Sequence, residues 1–105
     1  QGGIFTSKGK ITIEKVEYKN DEKPLDEGCK CYTCRHFSKA YIHHLYKTHE
    51  PIRDRYGNIH NLFFIQTLMS SIRKAVKSGE FEGFKKQFLK EYYVNKNKNT
   101  VFTYK

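Results

Sequence analysis

Cys29-Lys30-Cys31-Tyr32-Thr33-Cys34 is the stretch whose reading decides how this chain folds. Its three thiols follow a C-x-C-x2-C spacing, and an odd number of cysteines suits a disulfide framework poorly. A buried cluster of free thiols, or a redox pair with a spare thiol, would also fit the letters. Three thiols this close in a reducing compartment more often mark a metal. Thiolate softness favours zinc over magnesium or calcium. A closed tetrahedral site needs a fourth ligand, commonly an imidazole.

Five histidines compete for that place: His36, His43, His44, His49 and His60. His36 is close enough in sequence to strain the knuckle. His43 and His44 fall mid-helix and face different directions. His60 falls at an expected helix start after a turn, where its ring can reach back. Spacing alone favours His60 without settling the choice. Four protein ligands would leave no open coordination position, so the site is expected to be structural and not catalytic.

Outward from the knuckle, the N-terminal side reads as a flexible Gln1-Gly2-Gly3 opening and a strand from Lys10 to Lys19. In that strand Ile11 and Ile13 alternate with polar residues, and a phase slip before Val16 suggests a bulge. Asn20 to Gly28 reads as a polar loop with Leu25 as its one apolar anchor. On the C-terminal side a helix is expected from Arg35 to Thr48. Pro51 to Asn58 reads as a loop, because Tyr56-Gly57-Asn58 carries turn chemistry. A longer helix is expected from Ile59 or His60 to Ser78, ended by Gly79 in the left-handed conformation. A third follows from Phe81 to Tyr93. The apolar stripes Leu62, Ile65, Leu68, Met69, Ile72, Val76 and Phe81, Phe84, Phe88, Tyr92 are read as core packing. Val94 to Lys105 reads as a fraying Asn/Lys-rich tail, with docking of Val101, Phe102 and Tyr104 as a short strand as the alternative. The chain thus divides into 1–28 (strand and loop), 29–93 (knuckle and helices) and 94–105 (tail).

The 105 residues suffice for one small domain. Such chains bury a modest share of their surface, so a metal would help. Hydrophobic residues make up 37%, a low apolar content for an independent core, but the 15% of aromatic residues argues against full disorder. The net charge of +9 is concentrated in residues 51–105, a balance that attracts polyanions such as nucleic acid. A solubilising lysine-rich face would give the same count. No apolar run is long enough for a membrane span, and the N-terminus has no signal-peptide layout. A cytoplasmic setting is expected.

Several stretches together resemble the tRNA-guanine transglycosylase (queuine tRNA-ribosyltransferase) family. They are Pro24-Leu25-Asp26, the cysteine knuckle, Ser38-Lys39-Ala40-Tyr41-Ile42-His43-His44-Leu45 and Ile59-His60-Asn61-Leu62, in that order and spacing. Phe5-Thr6 and Gly9 match before them, and Leu68-Met69, Ile72-Arg73, Gly79-x-Phe81 and Phe84 after them. The resemblance covers Phe5 to Tyr93. It departs at the polar Pro51–Asn58 stretch, at the tail, and at Lys39, which stands where arginine is usual.

The resemblance implies that Cys29, Cys31, Cys34 and His60 hold one structural zinc. It implies a parent enzyme that exchanges a guanine in the tRNA anticodon for a 7-deazaguanine base, using carboxylates on a TIM barrel. Those aspartates would lie upstream of Gln1. The missing initiator Met and the abrupt beginning are read as truncation, so this chain alone is expected to be inactive, with no catalytic residue of its own. Asp21, Asp26 and Asp54 are expected to cap or solvate loops. Arg35, Lys39, Arg73 and Lys74 are candidate tRNA contacts. Phe37, Tyr41 and His44 share one helical face and are candidates for a subunit interface in a homodimer or heterodimer. The expected fold is a small α+β unit with a short antiparallel β element and about three helices, the C-terminal part of a TIM-barrel enzyme. Cut away from the barrel, apolar helix faces would be exposed and favour self-association. A fragment of the family's non-catalytic partner subunit and a free-standing zinc module binding RNA are the two rival readings.

Overall fold

The computed structural model describes residues 2–93. Strands β1 (Gly3–Thr6) and β2 (Gly9–Thr12) form an antiparallel hairpin with Ile4 opposite Ile11. A single 3-10 turn at Val16–Tyr18 follows. Then come helices α1 (Tyr32–His36), α2 (Lys39–Lys47), α3 (Arg53–Ser78) and α4 (Phe81–Tyr92). This is the small α+β unit expected.

The core lies where the hairpin, the knuckle and α2 meet. Ile4, Ile13, Leu25, Ile42, Leu45 and Tyr46 are buried there together with Cys31 and Cys34. Burying each of the large aliphatic side chains is worth about 1.5–3 kcal/mol. Leu25 is 1% exposed, the anchor expected of the loop before the knuckle. That loop is also clipped to α2, because Asp21 and Lys23 carbonyls accept from the Ala40 and Lys39 amides.

Four expectations are corrected. The long strand from Lys10 is only the four residues of β2. The Lys15 amide bonds back to the Thr12 carbonyl and turns the chain into the 3-10 turn, so Val16 is exposed. The partner strand begins inside the opening read as flexible.

The helix expected from Arg35 to Thr48 is two helices. Phe37 is extended (φ −135°, ψ 151°), and Ser38 caps α2 by accepting from the Tyr41 amide at 3.1 Å.

The Pro51–Asn58 loop is mostly helix. Pro51 lies outside the helix, before the N-cap Ile52, where it breaks no helical hydrogen bond, and Asp54 in the first turn is favourable there. Gly57 serves packing and not a turn.

The stripe along α3 is core only in part: Leu68 and Ile72 are half-buried. Leu62, Ile65, Met69 and Val76 are exposed. Gly79 does end α3 in the left-handed conformation at φ 77°. The stripe of α4 is half-buried, with Phe84, Phe88 and Tyr92 stacked in sequence. The expected tail and its strand lie outside the described residues. Among those described, no helix is long and apolar enough to cross a membrane.

Candidate metal centre

Cys29 ends the loop before α1, Cys31 is the residue preceding the helix, and Cys34 lies inside it. The Cys31 sulfur accepts the Cys34 amide at 3.3 Å, doing for α1 what a serine or aspartate does at an ordinary helix start. The Cys29 sulfur accepts the Cys31 amide at 3.5 Å. The knuckle therefore exists because the local backbone amides point at sulfur, which favours thiolate over thiol. Thr33, wholly buried, donates its hydroxyl to the Tyr56 carbonyl at 2.8 Å and fastens α1 to α3.

α3 supplies the fourth ligand. His60 is 0% exposed, and its Nδ1 lies 3.6, 3.4 and 3.4 Å from the sulfurs of Cys29, Cys31 and Cys34. All four ligand atoms lie within 4.8 Å of one another. One nitrogen cannot hydrogen-bond three sulfurs equally well. A common ion can explain the equality. Zinc with bonds of about 2.3 Å to sulfur and about 2.0–2.1 Å to nitrogen at tetrahedral angles sets each S···N distance at about 3.5 Å.

The other ring nitrogen decides the tautomer. Nε2 lies 2.7 Å from the Phe5 carbonyl oxygen, which can only accept. Nε2 therefore carries the proton, and Nδ1 presents its lone pair to the sulfurs. Burial holds the His60 pKa below the usual imidazole value, against the opposing pull of the Phe5 bond and the Asp26 charge. That direction favours the neutral ring, the form a metal ligand takes. Burial pushes the Cys29 and Cys34 thiols up. Left without a cation this pocket resists thiolate charge, whereas a divalent ion deprotonates coordinating thiols outright. The donor set, three soft sulfurs and one imidazole, fits zinc and leaves no position open for a substrate.

His60 lies in the third turn of α3 and not at its start, since the helix begins earlier than its sequence suggests. The remaining histidines are elsewhere. His43 is buried with Nδ1 2.8 Å from the Ile13 carbonyl oxygen. His36 is exposed and bonds the Tyr32 carbonyl, His44 faces solvent, and His49 sits at φ 59° after α2.

The other singled-out residues are dispersed. Lys39 is 15% exposed and pairs with Asp21 at 3.4 Å. Arg35 donates Nε to the Lys30 carbonyl on the knuckle. Arg73 and Lys74 are exposed on α3. Phe37 and Tyr41 stack at 4.9 Å, and Tyr56 joins them 4.6 Å from Phe37; Phe37 lies in the extended break before α2 and so does not share a helical face with Tyr41 and exposed His44. Asp26 binds the hairpin turn, accepting the Ser7 amide and hydroxyl at 3.0 and 3.1 Å. Asp21 caps its own loop through the Lys23 amide. Sequence reasoning missed Asn61 as a structural residue. Its amide accepts from the Phe5 N–H and donates to the Gly3 carbonyl, both at 3.0 Å. The only signal in the letters was a polar residue next to a candidate ligand.

Comparison with known proteins gives the family. A family profile described as queuine tRNA-ribosyltransferase matches residues 1–94. A queuine tRNA-ribosyltransferase from Francisella tularensis is 54% identical over 91 residues, covering 87% of this chain and 25% of that protein. One from Dictyoglomus turgidum is 49% identical over 100 residues, covering 95% and 26%. The chain spans about a quarter of the length of the curated relatives it matches. With a match over nearly its whole length, the chain belongs to the queuine tRNA-ribosyltransferase family.

Proposed function

We propose that this chain is the zinc-binding C-terminal part of an enzyme that exchanges guanine in a tRNA anticodon for a 7-deazaguanine base. The observation that carries the reading is the convergence of His60 Nδ1 on three sulfurs within a family match. Zinc would be held by Cys29, Cys31, Cys34 and His60. Its contribution would be cohesion, joining knuckle, α1, α3 and hairpin; the carboxylates that act on the ribose would lie in the preceding part of the parent. The chain alone would be inactive.

Within the parent, the exposed stripe of α3 would be covered by the barrel. Exposed Arg73 and Lys74, with Arg35 beside the knuckle, would meet tRNA phosphates. Lys39 would contribute less, since its ammonium is already paired with Asp21. The Phe37–Tyr41 stack and His44 would serve the subunit interface of a homodimer or heterodimer. A cytoplasmic location suits both free thiols and tRNA.

The test pairs a guanine-exchange assay with a zinc determination. The parent containing this segment should exchange labelled guanine in tRNA, and this chain alone should bind zinc without turnover. Turnover by the isolated chain would overturn the assignment of the chemistry to the preceding part. A parent that binds zinc but exchanges no base would point to the family's non-catalytic partner subunit.

A further inference from the structure

We infer that Asn61 is a positioning residue for the metal site, fixing the zinc-binding imidazole by locking the free edge of β1 onto α3. This rests on zinc occupying the Cys29–Cys31–Cys34–His60 set. In an antiparallel pair, alternate residues turn their backbone groups away from the partner strand. The Ile13 amide bonds the Gly2 carbonyl, so Gly2, Ile4 and Thr6 face β2, and Gly3 and Phe5 face outward. An outward edge of this kind must find partners when covered. Here it finds two adjacent side chains of α3 in place of a third strand.

Asn61 supplies one acceptor and one donor, as a neighbouring strand would. Its Oδ1 takes the Phe5 N–H and its Nδ2 donates to the Gly3 carbonyl, each at 3.0 Å. His60 completes the edge by donating Nε2–H to the Phe5 carbonyl at 2.7 Å. Phe5 is therefore gripped on both its amide and its carbonyl. Asn61 fixes the Gly3–Ile4 and Ile4–Phe5 peptides, so the Phe5 carbonyl that sets the His60 tautomer and ring angle hangs from an anchored Cα and its swing is limited to rotation within Phe5. The carboxamide acts on the metal through the strand, touching neither sulfur nor ion. Zinc and hairpin become one unit: the ion holds the ring, the ring and its neighbour hold the strand, and the strand is the first element of the chain. Groups hydrogen-bonded directly to a metal-bound histidine change metal affinity by about 10–100-fold when removed, which sets the ceiling for Asn61, one bond further out.

The experiment uses the zinc-loaded protein and its cobalt(II)-loaded form, each with Asn61→Leu and Asn61→Asp. Leucine removes both bonds at similar size. Aspartate keeps the acceptor for Phe5 but turns an oxygen toward the Gly3 carbonyl. Zinc release to a chromogenic chelator should quicken by up to about 10–100-fold for leucine and less for aspartate. The cobalt ligand-field bands should shift in both variants, a change that a loss of fold stability alone would not produce in folded protein. Should the leucine form fail to fold, the aspartate form carries the test. Unchanged bands and unchanged release would overturn the role of Asn61. If the unsubstituted protein gives no tetrahedral cobalt spectrum, the zinc reading itself fails, and the role falls with it.

Discussion

The hydroxyl of Tyr46 occupies the space a side chain on Gly57 would need: a Cβ there would lie 2.7 Å from that oxygen. Tyr46 is 4% exposed in the core, with the Arg53 guanidinium over its ring at 5.9 Å, so it has little room to yield. α3 crosses α2 closely only because residue 57 lacks a Cβ. That crossing brings His60, one turn further on, under the knuckle.

Gly57→Ala therefore sets two effects against each other. Alanine gains about 1 kcal/mol in a helix interior, and overpacking costs about 1–3 kcal/mol. The expected net loss is about 1 kcal/mol, seen as a melting point lower by roughly 4–8 °C for a domain of this size. In a Tyr46→Phe background the clash is gone, and the same substitution should become stabilising. A double-mutant cycle by thermal unfolding checks both signs; a loss that persists with phenylalanine would place the conflict elsewhere.

Leu62, Ile65, Met69, Ile72 and Val76 advance along α3 in steps of three and four. Leu62 remains 60% exposed and Val76 59%, so among the described residues the stripe is a largely uncovered seam. The isolated chain should self-associate with rising concentration. Leu62→Lys with Met69→Lys should abolish this without loss of bound zinc, because neither side chain is a ligand. Sedimentation across a concentration series decides it. A compact monomer at high concentration in the unsubstituted chain would remove the seam from the account.

The loop between hairpin and knuckle should respond to acid through Asp21. The Lys23 amide above all, with the Lys39 ammonium, holds this carboxyl below the usual carboxylate range, against a desolvation that raises it. A depressed folded value means the stabilisation is complete above the unfolded value of about 3.9 and fades as pH falls through the folded one. Asp21→Asn should cost up to about 1 kcal/mol at neutral pH, as befits a partly exposed pair. The gap to the unsubstituted protein should close at pH values well below about 3.9. The two proteins are compared by chemical denaturation only over the pH range where both keep their zinc, and the expected sign is a gap that narrows toward the acid end of that range. A gap that stays constant across the range would assign no role to the charge.

What the letters disclosed and what they hid follows from the range of each interaction. The knuckle was legible because its sulfurs and the amides they accept lie within a few residues. The left-handed end at Gly79 was legible for the same reason. Which histidine closes the site was legible only in part: spacing favours His60, but the choice waits on how α2 and α3 cross. The family resemblance supplied what spacing lacked. β1 escaped notice because its outer edge is satisfied by Asn61 and His60, more than fifty positions away. The start of α3 escaped because Gly57 looks like turn chemistry, while its actual service is to admit the Tyr46 hydroxyl. The seam on α3 was read as core because periodicity reports an apolar face and not what covers it.

The coordination sphere itself is tested most directly by titrating metal-free protein with zinc, counting bound ions per chain, and recording the melting curve with and without a strong chelator. The expected result is one ion per chain, lost or greatly weakened in Cys34→Ser and His60→Ala. Chelation should be accompanied by collapse of the folding transition, since structural zinc contributes about 10–16 kcal/mol in small zinc peptides. No bound zinc, or a melting curve indifferent to the chelator, would contradict it.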